Sequence, residues 1–336
     1  MAKSESGPYP LHQSQLYMAV SRKKLAAEVF NVDLQWLERL AHQERNFRIF
    51  EITQNGKPRR VEVPKAVLER VHRRLFTLLE RIEKPDYLHS GRSGRSYVTN
   101  AKAHAGAVPL AKLDLKKFYP SVDGARVARF FGDRLRCSPD VAGLLTRLCV
   151  CDNHIPTGSC VSQLLAYYAA APMFDELHEL ALAHGVRMTC YVDDLTFSGV
   201  GATPAFLWKA KQVVDRHGFR YHKDRVYRGD QAKAVTGTMI RGDHVTVLSG
   251  REHDLARDIN ALGGMDSKGR IAAIDSLIGR AVAATQIDRR FLARVRRLKF
   301  ARAQSRIEYE REIDVAWRRR LEIARSRKPI DEAPPW

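Results

Sequence analysis

Two aspartates stand side by side at positions 193 and 194, inside the stretch "TCYVDDLTFSG". Asp-Asp at a hairpin tip is a common turn former, and that reading needs no chemistry. The flanks argue for more. Tyr191, Val192, Leu195 and Phe197 are apolar and β-prone, so the tip is expected to lie partly buried. Adjacent carboxylates repel there, and each needs a compensating cation. A third carboxylate, Asp114, lies within a similar apolar strand, "LAKLDLKKFYPSV". Three carboxylates on neighbouring strand ends suit hard divalent cations such as Mg²⁺, which prefer oxygen ligands and complete their shell with water and phosphate. A pair of such ions can activate a hydroxyl and stabilise a leaving pyrophosphate.

The rest of the chain has to position these groups. Residues 11–46 read as helices, with Leu25, Val29, Leu34, Leu37 and Leu40 near helical spacing. "FRIFEI" (47–52), "NGK" (55–57) and "RRVEV" (59–63) read as strand, turn, strand. Residues 64–82 read as an amphipathic helix starting at Pro64. Residues 83–109, basic and rich in Gly and Ser, read as a long loop. A strand over 110–122 stopped by Pro120, helices to about 150, and a turn at "IPTGSC" follow. Then come one long helix over 161–184, two short strands over 186–200 and a helix over 204–217. Further strands lead to a helical, increasingly basic segment from about 251. This order predicts an α+β core with a helical C-terminal part.

Composition narrows the partners. The 336 residues carry 57 Lys+Arg against 38 Asp+Glu, a formal net charge of +19. Such an excess points to a polyanion, nucleic acid above all. No apolar run approaches the roughly 18–20 residues that span a bilayer, and the first residues lack the order of a signal peptide. Cys137, Cys149, Cys151, Cys160 and Cys190 form no CxxC pair, which fits a reducing cytoplasm. Cys149, Cys151 and His154 lack a fourth ligand at zinc spacing.

Taken in order, "LDLKKFYPSV", "IPTGSCVSQLL" and "YVDD" resemble successive motifs of reverse transcriptases. "NAKAH" (100–104) and "VTG" (235–237) resemble elements of bacterial retron reverse transcriptases. The resemblance implies a right-hand polymerase. Residues 1–46 would be an N-terminal helical region, 47–250 fingers and palm, and 251–336 a basic helical thumb. It implies that Asp114, Asp193 and Asp194 serve two Mg²⁺ ions. Lys57 and Arg59 would grip the incoming triphosphate, and Tyr119 would exclude a ribose 2′-hydroxyl. Thr157, Gly158 and Arg225 would complete the nucleotide site. Asn100, His104, Val235, Thr236 and Gly237 would contact RNA or DNA, as would Arg289, Arg290, Arg296 and Arg297.

Three departures stand out. Thr157 replaces the family's glutamine, Arg225 falls on its lysine position, and Val192 adds bulk beside the primer end. The implied activity is copying of a structured noncoding RNA into single-stranded DNA from dNTPs, in anti-phage defence, with any effector a separate protein encoded nearby. The resemblance leaves the oligomeric state open. Other defence-associated reverse transcriptases with different priming share these motifs. A non-catalytic RNA-binding scaffold and a Mg²⁺-dependent nuclease are the alternatives from other classes.

Overall fold

The computed structural model describes residues 8–54, 56–106 and 108–326. The ends of the expected N- and C-terminal regions (1–7 and 327–336), and Asn55 of the expected turn, lie outside them. The fold mixes α and β, and the chain divides into two compact units, 1–236 with 240–244, and 237–239 with 245–336. The division falls among three short strands, β7 (Lys233–Val235), β8 (Thr238–Arg241) and β9 (His244–Val247), rather than at residue 250. The N-terminal helices lie within the first unit. Leu25, Leu37 and Leu40 join the core of the first unit.

That unit is built on an antiparallel sheet. Strands β3 (Leu110–Leu115), β4 (Arg187–Tyr191), β5 (Asp194–Ser198) and β6 (Tyr221–Tyr227) lie in the order β4-β5-β3-β6. Alternation sorts its two faces. Ala111, Leu113, Leu115, Met188, Cys190, Leu195 and Phe197 are buried in the core with Phe174, Leu177, Phe206 and Val214 from flanking helices. The partners along each strand, Lys112, Asp114, Thr189, Asp194, Thr196 and Ser198, are polar and share the other face.

A hairpin of β1 (Phe47–Gln54) and β2 (Lys57–Pro64) stands apart from this sheet, turning through Gly56 at φ +72°. The helix after it, Ala66–Glu80, buries Leu68, Val71, Leu75, Leu78 and Leu79 at three-to-four-residue spacing.

Three expectations change in detail. The loop over 83–109 contains a helix, Tyr97–Lys102, closed at its start by a capping box between Ser96 and Thr99. The strand from 110 ends at Leu115, because Lys117 takes φ +52° and starts a short helix, Phe118–Ser121, that includes Pro120. The single helix expected over 161–184 breaks at Ala170 into Ser162–Ala169 and Ala171–Ala183. Pro172 lies in the first turn of the second piece, where its missing N–H costs nothing.

The second unit contains helices Ser249–Asn260, Ser267–Thr285 and Phe291–Ser326. Leu255, Ile274, Leu277, Ala281, Phe291, Val295 and Leu298 form its core. No described helix is long and apolar enough to cross a membrane.

Candidate active site

Asp114 ends β3 and Asp194 begins β5, and the two are register partners across adjacent antiparallel strands. Asp193 sits in the two-residue loop between β4 and β5, where Tyr191 pairs with Asp194. The loop is strained. Val192 has φ +60°, a conformation that costs a β-branched residue about 1–2 kcal/mol. Two backbone contacts hold it. The Val192 N–H donates to Ser90 Oγ at 2.9 Å, and the Leu115 N–H donates to the Asp193 carbonyl at 2.8 Å. The hairpin tip is therefore tied both to β3 and to the segment before the Tyr97–Lys102 helix.

The electrostatics are those of a crowded anionic site. Burial, then the charge of Asp114, raises the Asp193 pKa above the ordinary carboxylate value. Burial pushes Asp194 up to about 6, and Asp114 and Asp193 add to the effect. Lys112 and the Thr236 N–H, which donates to Asp194, oppose it. Basic side chains have gathered around the same groups. Asp114 Oδ1 is 2.6 Å from His222 Nε2, and its Oδ2 accepts from Lys223 Nζ at 3.3 Å. Arg59 and Lys223 both act on Asp193.

A β-bulge explains how Lys223 arrives there. Lys112 pairs with Arg225 but Asp114 pairs with His222, so β6 carries an extra residue opposite Leu113, with Lys223 at φ +52°. Arg225 lies beyond the bulge, its guanidinium 4.7 Å from the centre of the Tyr227 ring. Lys223 is therefore the β6 cation bonded to Asp114, at a register that counting residues does not reveal.

The donor set suits a hard divalent cation. Its atoms are carboxylate oxygens, and Asp194 Oδ1 is buried without a hydrogen-bond partner. In this arrangement no three His, Cys, Asp or Glu side chains among the described residues converge on one point. Asp114 is instead held by His222 and Lys223.

The remaining expected residues divide into four groups. Lys57 and Arg59 are exposed on β2, and Tyr119 is half-buried, its pKa pushed up to about 12 by burial and by Asp193. Phe118 beside it is core.

Thr157 and Gly158 fasten the turn to the hairpin. The Thr157 N–H donates to the buried Glu62 carboxylate at 3.0 Å, and so does its hydroxyl, at 3.0 Å. The Gly158 N–H donates to the Glu62 carbonyl at 3.0 Å, and a Cβ at Gly158 would sit 2.7 Å from that oxygen. The position of Glu62 in "RRVEV" carries no signal until the turn is brought to it.

The third group departs from expectation. Asn100, His104 and Val235, expected to contact nucleic acid, each have 0% of their surface exposed. His104 lies with Nδ1 2.7 Å from Ser198 Oγ and Nε2 2.7 Å from Thr189 Oγ1. Burial lowers its pKa to about 3, so the ring is neutral, one nitrogen donating and the other accepting. Thr236 donates its hydroxyl to the Tyr97 carbonyl at 2.9 Å. Gly237 has φ +77°, and a Cβ there would collide with the Arg251 guanidinium.

In the second unit Arg289, Arg290, Arg296 and Arg297 are exposed, and Arg290 pairs with Asp288 at 2.6 Å. Phe291, Val295 and Leu298 are core, whereas Leu292 and Phe300 face outward.

No family model matches the chain. Curated relatives do. The retron Se72 reverse transcriptase of Salmonella heidelberg is 30% identical over 182 residues, 54% of this chain and 46% of that protein. The retron Mx162 and Mx65 reverse transcriptases of Myxococcus xanthus are 27% and 29% identical, over 64% and 61% of this chain and 51% and 53% of their own lengths. The chain spans about half the length of these relatives. A solved apo telomerase from Candida tropicalis, truncated from its C-terminal domain, aligns at 11% identity over 65% of this chain and 61% of its own, with a TM-score of 0.46. Over the matched part the chain is a homologue of retron reverse transcriptases.

Proposed function

We propose that this protein is an RNA-directed DNA polymerase that copies a structured noncoding RNA into single-stranded DNA in a retron-like system. The observation that carries the reading is the register pairing of Asp114 with Asp194, with Asp193 in the strained loop between β4 and β5. In this reading the β1–β2 hairpin belongs to the fingers, the four-stranded sheet is the palm, and the helical second unit is the thumb. Homology over half the chain to retron reverse transcriptases supports it.

Asp114, Asp193 and Asp194 would hold two Mg²⁺ ions, which supply charge neutralisation for the attacking hydroxyl and the departing pyrophosphate. The chain's own groups do the rest. Arg59 and Lys57 present exposed cations on β2 to the triphosphate, as charge-assisted contacts. Tyr119, half-buried and within the field of Asp193, sets the room beside the sugar. Lys223 releases Asp114 and turns to the phosphates, a task also open to Arg225. Thr157 and Gly158 hold the floor of the nucleotide site by fastening the hairpin to the turn. Arg289, Arg296 and Arg297 make no ion pair among the described residues, which suits phosphate tracking. The substrates are dNTPs and the RNA template. A separate effector would act with the RNA–DNA product in anti-phage defence, in the cytoplasm.

Extension of a DNA primer on an RNA template with dNTPs and Mg²⁺ tests this reading. Wild type should extend, and Asp193→Asn should not. Equal extension by both would remove the carboxylates from the chemistry. Cleavage of the template without dNTPs would replace polymerisation with hydrolysis.

A further inference from the structure

Asn100, His104 and Thr236 are polar, belong to the "NAKAH" and "VTG" elements, and converge from distant parts of the chain on the polar face of the sheet. We propose that these three are positioning residues that brace Asp194 from behind. They would set the geometry with which the carboxylate meets its cation, rather than contact nucleic acid. The inference rests on the polymerase reading for the purpose of the site, though not for its geometry.

The brace can be followed atom by atom. The capping box at Ser96 and Thr99 fixes the Tyr97–Lys102 helix. The last residues of that helix run into His104, whose ring nitrogens lie 2.7 Å from Thr189 Oγ1 on β4 and 2.7 Å from Ser198 Oγ on β5. The helix is thereby pinned across the two strands that flank the Asp193–Asp194 turn. On its other side it receives Thr236. The Thr236 hydroxyl donates to the Tyr97 carbonyl at 2.9 Å, and Asn100 Nδ2 lies 3.5 Å from the Thr236 hydroxyl oxygen.

Thr236 has φ +43°, a region that a β-branched residue adopts only when its surroundings impose it. In that conformation its N–H donates to the Asp194 carboxylate. Strain at Thr236 thus has a product, a backbone donor on one catalytic carboxylate. Asn100 and His104 are 0% exposed, which leaves them no surface for RNA or DNA.

Thr236→Val, which keeps shape and loses the hydroxyl, and Thr236→Ser, which keeps the hydroxyl, test the proposal beside wild type. His104→Gln reaches the same brace from the strand side. Three measurements separate the possibilities. Mn²⁺ binding to the free protein, read by electron paramagnetic resonance, reports the carboxylates without turnover. Extension of oligo(dT) on poly(rA) over a Mg²⁺ series reports the site at work. Fluorescence anisotropy with the same duplex reports nucleic-acid affinity.

Thr236→Val and His104→Gln should weaken Mn²⁺ binding about 10-fold and raise the half-saturating Mg²⁺ in step. Duplex affinity should stay at the wild-type value, and Thr236→Ser should restore both metal readouts. Unchanged Mn²⁺ binding in folded Thr236→Val and His104→Gln overturns the proposal. So does a loss confined to duplex affinity. A wild-type protein that binds Mn²⁺ but never extends the primer refutes the polymerase reading instead, and the Mn²⁺ comparison still decides the brace.

Discussion

Asp194 carries the largest consequence of any single residue. Its pKa is raised to about 6 in the folded chain, above the ordinary value of an unfolded aspartate. A raised carboxylate favours the protonated form, so its folded state is most comfortable at low pH. Stability is lost as pH rises from about 4 through about 6, where the buried group must ionise. Asp194→Asn should therefore stabilise the metal-free protein at pH 8 by on the order of 1–3 kcal/mol, and change little near pH 4. Thermal melts in chelator at the two pH values check this, and a lower melting temperature for the variant at pH 8 would contradict it.

Tyr119 supports a second prediction at this scale. Tyr119→Val should admit ribonucleotides that wild type excludes, measured as rNTP incorporation opposite the same template. Without that gain, the ring is packing and not a gate. Both residues could be singled out from sequence because their motifs place them at fixed offsets. The contact of Lys223 with Asp114 could not, since only the bulge in β6 brings Lys223, rather than Arg225, to it.

Among elements, the β1–β2 hairpin depends on its bonds to the 156–158 turn. Its outer residues lie exposed on a two-stranded ribbon, and Glu62 is the buried carboxylate that ties it to the 156–158 turn. Glu62→Ala should leave the Thr157 N–H without its acceptor, at about 1–3 kcal/mol. Because Lys57 and Arg59 ride on the same strand, the KM for dNTP should rise more than kcat falls. Glu62→Gln, which keeps an acceptor, should recover most of the loss. Steady-state incorporation and urea melts read the two effects separately.

The alternating strands and the Ala66–Glu80 helix could be read from the sequence because burial follows their periods. The Tyr97–Lys102 helix could not. It is six residues long, and its Gly/Ser-rich basic surroundings have the composition of a loop. The break at Ala170 was hidden for another reason. Apolar residues continue through it, and Pro172 is tolerated in the first turn of the helix that follows. The burial of "NAKAH" was equally invisible. Histidine and asparagine are polar types, and only the fold supplies the hydroxyls of Thr189 and Ser198 that satisfy His104 inside.

At the scale of the whole chain, the +19 charge predicts binding that weakens steeply with salt. Replacing Arg296 and Arg297 together by Ala should lower the slope of log affinity against log salt by about 2, with little change in template preference. An unchanged slope would make them an ordinary solvated face. The charge could be read from composition, and so could the helical character of the second unit. The outward placement of Leu292 and Phe300 could not, because the phase of a helix is set by its neighbours.

Copying RNA into DNA is the central claim, and the nucleic acid that purifies with the protein tests it most directly. Wild type and Asp193→Asn, expressed from the same native locus, would be purified and all bound RNA and DNA sequenced. Wild type should carry one RNA together with DNA complementary to part of it, and Asp193→Asn should carry the RNA alone. Complementary DNA present equally on both proteins, or absent from both, would contradict the account.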